Sequence, residues 1–465
     1  MQTDRAQFIQ SLFRFLSGTE YIWLKAVLGR PEDTPPRSDI DLLVQETAVP
    51  GILLFIVRQA SVAHCEAKKK DEATYLKIQF KAGGELRLDL LTALVRKQFT
   101  YLPNDYLFAN RVWLDGVATY TKKVLLEHVL LFSFLNNAGL PLKYVRFFEA
   151  LPSAEKAQLL ALLSSKYGCQ FQDFVQMAYF SIQTQENILK QLGRSPGNGY
   201  KDRLRRLASY SRHLLFPGYA QGPSIITFTG VDGAGKSTLL SDLRNLLTDK
   251  LGLKTVVLRH RPSLLPILSA YAQGRQAAEA KAATTLPRQG TNASRVGSLL
   301  RFGYYFSDYL FGQVYIWLRY VLRGYTVIYD RYYFDFIVDA KRSNITLGEA
   351  LPKKLFRLLA KPSLNILLYA DPKTIRQRKK ELPHADIVQM TGQYLALFEE
   401  LKSKNSSQYL CIENLDRAAS LEAILAHYFL IQYPAKTRAA QSQNLGHPSV
   451  GAEAPTGLPT MIELC

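Results

Sequence analysis

Near its middle the chain carries the glycine-rich run Gly230-Val231-Asp232-Gly233-Ala234-Gly235-Lys236-Ser237-Thr238. The apolar segment 225–228 before it is typical of a buried strand, and 239–247 after it has helical spacing. Glycines here let backbone N–H groups wrap around a polyphosphate with no Cβ in the way, and the helix N-terminus adds its positive dipole end. The sequence therefore predicts a phosphate-binding loop, in which Lys236 reaches the β/γ-phosphates and the Ser237 hydroxyl ligates Mg²⁺.

The length, charge and cysteine content limit the classes of protein to which the chain can belong. With 465 residues, 47% of them apolar, the chain is long enough for several globular domains, and its net charge of +19 favours an anionic partner. Because the cations are scattered and form no nucleic-acid reader motif, we expect nucleotide phosphates and no nucleic acid. Four widely separated cysteines have neither disulfide-scaffold nor metal-ligand spacing, and the N-terminus has no secretory core. We therefore expect a cytoplasmic protein.

The sequence predicts an α/β fold in three domains with a tail, at 1–120, 121–215, 222–433 and 434–465. The first domain mixes helical and strand patterns, the second is helical, and the tail is expected to be disordered. In the third, apolar strands alternate with helices, which predicts a three-layer parallel sheet covered on both faces. The predicted helices of the first domain are 8–28, for which a break near Gly18 stays open, and 51–59. The predicted strands of the first and third domains are 39–44, 74–80, 85–91, 254–258, 326–330, 364–370 and 409–412.

Two further groups of residues narrow the chemistry of the predicted loop. Asp330 ends an apolar strand, where it can hold Mg²⁺ beside the phosphate loop, and Arg331 can face an acceptor anion. The basic stretch 371–381 begins a helix whose cations can close over ATP as a lid. Phosphoryl transfer needs positive groups around the migrating phosphoryl and exclusion of water, which such a lid supplies. The alternatives are a surface ion pair and a solvated basic helix.

Residues 224–433 resemble the thymidylate kinase family of P-loop nucleoside monophosphate kinases. The resemblance rests on the phosphate loop with its inner Asp232, on Asp330-Arg331-Tyr332, on Asp371-Pro372 at the start of the lid, and on 390–397 after it. It implies a P-loop phosphotransferase that uses ATP and Mg²⁺ on a small-molecule acceptor.

The resemblance also implies catalytic roles. Lys236, Asp330 and Arg331 would act in the kinase site, with an arginine from the lid because the phosphate loop holds none. Arg378 matches the lid arginine best, and Arg376 is the runner-up.

The acceptor half departs from that family. The chain has His260-Arg261-Pro262 where the family has Arg-Glu-Pro-Gly-Gly, and Tyr309 where the family has an arginine that grips the acceptor phosphate. Losing a charged donor weakens such a contact by about 2–3 kcal/mol. Stretches 330–335 and 379–383 are similar to a divergent bacterial subgroup, labelled thymidylate kinase-like, that accompanies surface-polysaccharide genes. We expect a nucleotide, sugar or polyol acceptor, or its phosphate, rather than dTMP. The candidate acceptor contacts are Asp232, His260, Arg261, Asp308, Arg331 and Asp335.

Three carboxylates in the first domain form a second candidate site. Asp39 and Asp41 lie two apart on a predicted strand and point to one face, and Asp89 lies within another apolar strand. Converging carboxylates can hold two Mg²⁺ ions for nucleotidyl transfer. Residues 15–120 resemble the DNA polymerase beta-like nucleotidyltransferases in this pattern, although Arg30 stands where that family has serine or glycine. An active transferase, an inactive or regulatory module, and an unrelated set of aspartates all stay open.

Two segments of the C-terminal half are relevant to contact with a membrane or with other proteins. The apolar stretch 296–322 is interrupted by charges, so it predicts a core-lining helix rather than a membrane span. Peripheral membrane contact is not predicted, and a homodimer stays open. Residues 272–296 are small, polar and basic and are expected to form a mobile loop.

The function predicted is thus an ATP-dependent small-molecule kinase. The alternatives are a bifunctional enzyme with an active N-terminal nucleotidyltransferase, a genuine dTMP kinase with a regulatory N-terminal domain, and a nucleotide-gated switch.

Overall fold

The described part of the chain contains two larger sheets and a helical region between them in sequence. The computed structural model describes residues 2–25, 29–70, 72–168, 171–175, 177, 180–215, 223–265, 294–379 and 382–434. The chain divides into two compact units, Met1–Pro434 and Ala435–Cys465, and all described residues belong to the first. Residues 272–293 of the predicted loop 272–296 and the predicted tail beyond Pro434 lie outside the described residues. The last part of that predicted loop is instead the start of a helix, capped by Ser294.

The N-terminal region folds into a mixed five-stranded sheet with two helices. Its elements are α1 (Gln2–Leu16), β1 (Tyr21–Trp23), β2 (Ile40–Val44), α2 (Val49–Arg58), β3 (Val62–Lys70), β4 (Ala73–Phe80) and β5 (Glu85–Leu91). The strand order is β1-β2-β5-β4-β3, with β2 and β5 parallel and the other neighbours antiparallel. Every second side chain of β4 and β5 is buried, and this alternation fixes which face of the sheet meets the core.

Two short hairpins and a set of helices follow. Hydroxyl caps define two helix starts: Thr121 accepts from the Val124 N–H, and Ser181 accepts from the Thr184 N–H. Most of this region's buried apolar side chains belong to a second hydrophobic cluster. The elements are β6 (Leu94–Arg96), β7 (Phe99–Leu102), α3 (Asn104–Ala109), β8 (Arg111–Leu114), β9 (Val117–Tyr120), α4 (Lys122–Leu135), α5 (Leu142–Glu149), α6 (Ser153–Tyr167), α7 (Ile182–Arg194) and α8 (Tyr200–Leu215).

The C-terminal region of the described chain contains a five-stranded, all-parallel sheet. Its strands are β10 (Ile225–Thr229), β11 (Lys254–Arg259), β12 (Tyr325–Asp330), β13 (Leu364–Tyr369) and β14 (Tyr409–Glu413). Its main helices are α9 (Lys236–Asn245), α10 (Arg295–Arg319), α11 (Phe334–Val338), α12 (Ala350–Leu355), α13 (Pro372–Arg378), α14 (His384–Lys402) and α15 (Arg417–Gln432). The order is β11-β12-β10-β13-β14, so β10 lies at the centre and leads into the glycine-rich loop. The predicted parallel sheet is confirmed.

Some expectations for the first domain are wrong in detail. The predicted helix 8–28 ends at Leu16, close to the break considered at Gly18. The part predicted beyond that break is wrong, because Tyr21–Trp23 forms a strand that pairs antiparallel with β2. Strand β3 and the hairpins were absent from the predicted pattern. One cluster of buried apolar side chains runs from the N-terminal sheet into the parallel-sheet region. The predicted domain boundaries within residues 1–433 all fall inside the first compact unit and stay a prediction.

Candidate active site

The glycine-rich loop connects the central strand β10 to α9 through backbone conformations that favour glycine. Gly230 has φ 135° and Gly235 has φ 95°. A Cβ on Gly230 would overlap the Leu368 carbonyl oxygen, and one on Gly235 would overlap the Asn414 amide nitrogen. Residues without a Cβ are therefore required at both positions. The loop forms a narrow cradle at the carboxyl edge of the sheet, which fits the predicted polyphosphate.

Lys236 is the first residue of α9 and is almost fully buried. Its Nζ donates to the Val231 carbonyl oxygen at 2.9 Å and lies 3.6 Å from Asp232 Oδ1. Burial lowers the pKa of Lys236 to about 7, and the carboxylates Asp232, Asp335 and Asp330 oppose that shift. A desolvated cation at a helix N-terminus favours an incoming polyanion.

Asp232 is the centre of an ion-pair network. Arg331 Nη2 pairs with Asp232 Oδ1, and Arg342 Nη1 donates to Asp232 Oδ2 at 2.6 Å. Burial alone would raise the pKa of Asp232, but the cations Arg331, Lys236 and Arg342 hold it well below its usual value. Arg331 has a φ of 74°, a strained value for a residue with a side chain. The network thus fixes both the guanidinium and the carboxylate beside the phosphate loop.

Asp335 anchors the other side of Arg331. It accepts from Arg331 Nη1 at 2.8 Å and from the Tyr394 hydroxyl at 2.9 Å. His260 Nδ1 lies 4.0 Å from Asp335 Oδ2. Burial lowers the pKa of His260 to about 4, so the imidazole is neutral at pH 7. A neutral imidazole can donate or accept one hydrogen bond without adding charge to the site.

Asp308 and Tyr309 hold the segment that carries His260 and Arg261. Arg261 Nη1 donates to Asp308 Oδ2 at 2.7 Å, and the Leu265 N–H donates to Asp308 Oδ1 at 2.7 Å. The Tyr309 hydroxyl donates to the His260 carbonyl oxygen. Both carboxylate oxygens of Asp308 are thus engaged by the segment 261–265. Its predicted contact with an acceptor stays a prediction.

The predicted lid begins at a capped helix that lies against the phosphate loop. Asp371 accepts from the backbone N–H groups of the first turn of α13. Arg378 lies beside the loop, since a Cβ on Gly235 would be 4.0 Å from Arg378 Nη1. Arg376 is exposed. Of the two predicted arginines, the structure therefore brings Arg378 to the loop.

The predicted magnesium residues lie at the same edge of the sheet. Asp330 ends β12 beside Phe228 of β10, and its carboxylate raises the pKa of Lys236. Ser237 and Thr238 are exposed in the first turn of α9. A carboxylate and a hydroxyl are ligands that fit Mg²⁺, with water completing the shell.

Sequence reasoning missed three residues that complete the site. Arg342 pairs with Asp232, and Tyr394 donates to Asp335. Asn414 Nδ2 donates to the Ala234 carbonyl oxygen at 2.8 Å and so supports the loop. Only Asn414 had a usable signal, because it follows a predicted strand at the carboxyl edge where ligands bind in such sheets.

The N-terminal carboxylates converge. Ligand oxygens of Asp39, Asp41 and Asp89 lie within 4.8 Å of one another, and Asp41 and Asp89 are neighbours across the parallel strands β2 and β5. Lys25 Nζ lies 2.7 Å from Asp41 Oδ2 and also donates to the Asp39 carbonyl oxygen. Burial and the adjacent Asp41 and Asp39 raise the pKa of Asp89 to about 7. The three side chains can hold a divalent cation. The ammonium of Lys25 neutralises part of their negative charge.

The fold and site define a class. It is a mixed α/β protein with an all-parallel five-stranded sheet, compatible with a P-loop kinase fold. No protein-family model and no curated protein sequence matches the chain. Among solved structures, thymidylate kinase from Ehrlichia chaffeensis is similar, with 17% sequence identity and a TM-score of 0.30. That similarity covers 44% of this chain and 97% of that chain. Within the described residues, no helix is both long and apolar enough to cross a membrane.

Proposed function

We propose that this chain transfers the terminal phosphoryl group of ATP to a small acceptor. The observation that carries the proposal is the loop from Gly230 to Gly235 with Lys236 buried at the start of α9. The loop lies at the centre of a parallel sheet, beside the carboxylate of Asp330. Backbone N–H groups, a helix N-terminus and a desolvated ammonium all favour a polyphosphate at this point.

Each residue has a role in the proposed reaction. Lys236 and the loop would bind the β- and γ-phosphates, and Ser237 with Asp330 would hold Mg²⁺, which supplies charge neutralisation when bound. Arg378 would approach the transferred phosphoryl from the lid and stabilise its charge. Arg376 is the second choice for that role, since the atoms nearest to Gly235 include Arg378 and not Arg376.

On the acceptor side of the site, the carboxylates Asp232 and Asp335 are paired with the guanidinium groups of Arg331 and Arg342. Arg331 is tied to Asp335 and to Asp232, whereas the more exposed Arg342 contacts Asp232 alone among the ion pairs found in the described chain. Arg342 is therefore the cation that can leave Asp232 at the lowest cost. An acceptor hydroxyl could then bind Asp232 while an anionic group of the same molecule binds Arg342. This favours a phosphorylated sugar, polyol or nucleotide.

A screen of acceptors tests this proposal. Nucleoside monophosphates, sugar phosphates and polyols are offered with Mg²⁺ and ATP, and acceptor-dependent ADP release is measured. Lys236→Ala should abolish turnover, and Lys254→Ala, at an exposed lysine of β11, should leave it unchanged. Turnover that survives in Lys236→Ala would contradict the kinase. If dTMP proves the best acceptor by far, the acceptor class is wrong while the kinase stands.

A second activity is favoured by one observation, the convergence of Asp39, Asp41 and Asp89. We propose that this cluster binds divalent cations and supports nucleotidyl transfer. The wild-type chain and the double variant Asp39→Asn with Asp41→Asn are incubated with labelled nucleoside triphosphates and the acceptors above. Transfer by the wild type alone supports the proposal. No transfer by the wild type leaves the N-terminal region a regulatory or structural module.

A further inference from the structure

A cavity lies at the amino edge of the parallel sheet, at the opposite edge from the phosphate loop. Its volume is about 640 Å³, within the range of pockets that hold small organic molecules. Lys361 lines it and comes just before β13, whereas Gly230 of the loop lies against Leu368 near the other end of that strand. Because β13 has six residues and spans about 20 Å, the cavity is separate from the candidate active site.

The side chains that line this cavity carry an excess of positive charge. Of the described residues that line it, five are lysine or arginine and one is glutamate. Glu400 pairs with Lys353 and, at 3.1 Å, with Lys404. The remaining cations have no carboxylate partner within the described part of the chain, and they are Lys354, Arg357 and Lys361. The cavity therefore favours an anion with more than one negative charge.

The same cavity has an apolar surface beside its cations. Ile337, Phe356 and Leu397 line it and are buried. Lys361 Nζ lies 3.5 Å from the centre of the Phe356 ring and donates to the Phe356 carbonyl oxygen. Partial burial lowers the pKa of Lys361 to about 8. An ammonium that has lost part of its water and has no carboxylate partner among the described residues is stabilised by an incoming anion.

We propose that this cavity binds a small organic anion that carries several negative charges on an apolar body, as a phosphate ester does. The unpaired cations would contact the charged group, and the buried apolar side chains would contact the body of the molecule. Charge alone or apolar surface alone would use only half of the lining. The inference does not depend on the proposed kinase activity.

The helices that line the cavity also carry residues of the candidate active site. Ile337 follows Asp335 by two residues on α11, and Leu397 follows Tyr394 by three on α14. The Tyr394 hydroxyl donates to Asp335 at 2.9 Å and so joins the two helices. A ligand packed on Ile337 and Leu397 would contact the same two helices. We therefore expect its binding to be coupled to the Tyr394–Asp335 hydrogen bond.

Calorimetric titration of the full chain tests the site, with naphthyl phosphate as the probe. Inorganic phosphate supplies the charge alone and naphthol the apolar body alone, and each should bind at least about 10-fold more weakly than the probe. Affinity for the probe should fall as NaCl rises from about 50 mM to about 500 mM. The Lys236→Ala variant should retain this binding, which distinguishes the cavity from the phosphate loop.

Two variants remove cations from the lining. Lys354→Ala and Arg357→Ala should each weaken probe binding about 10-fold, as for the loss of one charge-assisted contact. Both side chains are exposed, so the fold should be retained, and circular dichroism checks this. The matched control is Lys190→Ala, at an exposed lysine of α7, which should bind the probe as the wild type does.

Glu400→Gln changes the charge of the lining in the opposite direction. It removes the carboxylate that competes with an anion for two of the lysines. Affinity for the probe should therefore rise about 3-fold. A merely structural role of Glu400 would not tighten binding.

Tyr394→Phe tests the coupling to the active site. Without the hydrogen bond to Asp335, the ligand itself has to order the two helices, and its affinity should fall about 5-fold or more. The matched control is Tyr428→Phe on α15. It also loses a buried hydroxyl, one that is hydrogen-bonded to Thr326, and should leave the affinity unchanged.

Three results would overturn the inference. They are no binding of naphthyl phosphate at about 1 mM, wild-type affinity in both Lys354→Ala and Arg357→Ala, or equal affinity for inorganic phosphate and the probe. Unchanged affinity in Tyr394→Phe would refute the coupling. Since every readout is an affinity and none is ATP turnover, a failure here is distinguishable from a failure of the kinase proposal.

Discussion

Asp335→Asn tests whether the buried carboxylate holds Arg331 in place. Asp335 is 1% exposed and accepts from Arg331 and Tyr394. Asparagine keeps the shape and one carbonyl oxygen but removes the charge. Among the described residues, the buried Arg331 then retains only Asp232 as an anionic partner. The substitution therefore leaves the buried, positively charged guanidinium of Arg331 with one of its two carboxylate partners.

The expected loss of stability follows from that burial. Removing one partner of a buried ion pair costs about 3–5 kcal/mol. Because Arg331 keeps Asp232, we expect the lower end of that range, about 3 kcal/mol. Tyr394→Phe removes one hydrogen bond to a charged group and should cost about 1–2 kcal/mol. Since Tyr394 and Arg331 share one carboxylate, the double variant Asp335→Asn with Tyr394→Phe should fall about 1 kcal/mol short of the sum.

Urea unfolding at pH 7.5 measures these free energies, with Glu400→Gln as the control. Glu400 pairs with Lys353 and Lys404 at the surface, so its substitution should cost no more than about 0.5 kcal/mol. In the acceptor assay, Asp335→Asn should raise KM for the acceptor and leave KM for ATP nearly unchanged. An Asp335→Asn variant as stable as Glu400→Gln, or strict additivity with Tyr394→Phe, would refute the reasoning.

Four other changes test single contacts. Gly235→Ala should lower the free energy of unfolding by about 1–3 kcal/mol in urea, because alanine is strained at this φ and its Cβ overlaps Asn414. Arg342→Ala should raise KM for an anionic acceptor about 10-fold or more and leave KM for ATP unchanged. His260 has a pKa of about 4 when folded, below its unfolded value, so stability should fall as pH falls from about 6.5 to 4. A His260→Gln variant should show a shallower loss over that window in urea titrations. Asp89→Asn should weaken Mn²⁺ binding about 10-fold or more by calorimetry, and unchanged affinity would contradict the N-terminal site.

The sequence predicted those parts of the fold that local pattern determines. The strands of the parallel sheet are continuous apolar runs, so their positions were readable, and each of the four predicted runs after the loop is a strand. The run from Gly230 to Thr238 predicted the tight turn because its glycines meet a backbone requirement that is local. Strand β1 was missed because three residues carry no period. Their pairing with β2 is a tertiary contact.

The site residues that the sequence did not predict also depend on contacts between residues far apart in the chain. Arg342 reaches Asp232 across 110 positions, and Tyr394 reaches Asp335 across 59. Nothing in the local spacing of either residue marks it as part of a site. Lys25 shows the same limit in the N-terminal cluster, because the predicted helix there hid the turn that brings its ammonium to Asp41. Motifs predicted which residues carry charge at the site, and topology decided which of them meet.

The N-terminal sheet contacts the C-terminal region that carries the glycine-rich loop. These contacts indicate how the two regions are joined. His64 Nδ1 lies 2.9 Å from the Asp249 carbonyl oxygen, in the turn that follows α9, and Lys250 Nζ donates to the Gln59 carbonyl oxygen. Thr74 donates to the Tyr433 hydroxyl at the other end of the region. Because the apolar cluster is continuous across this boundary, the helix that begins at Lys236 is packed on the N-terminal sheet at its far end. The N-terminal region therefore packs against the far end of the helix that follows the phosphate loop, whether or not its own carboxylates are active.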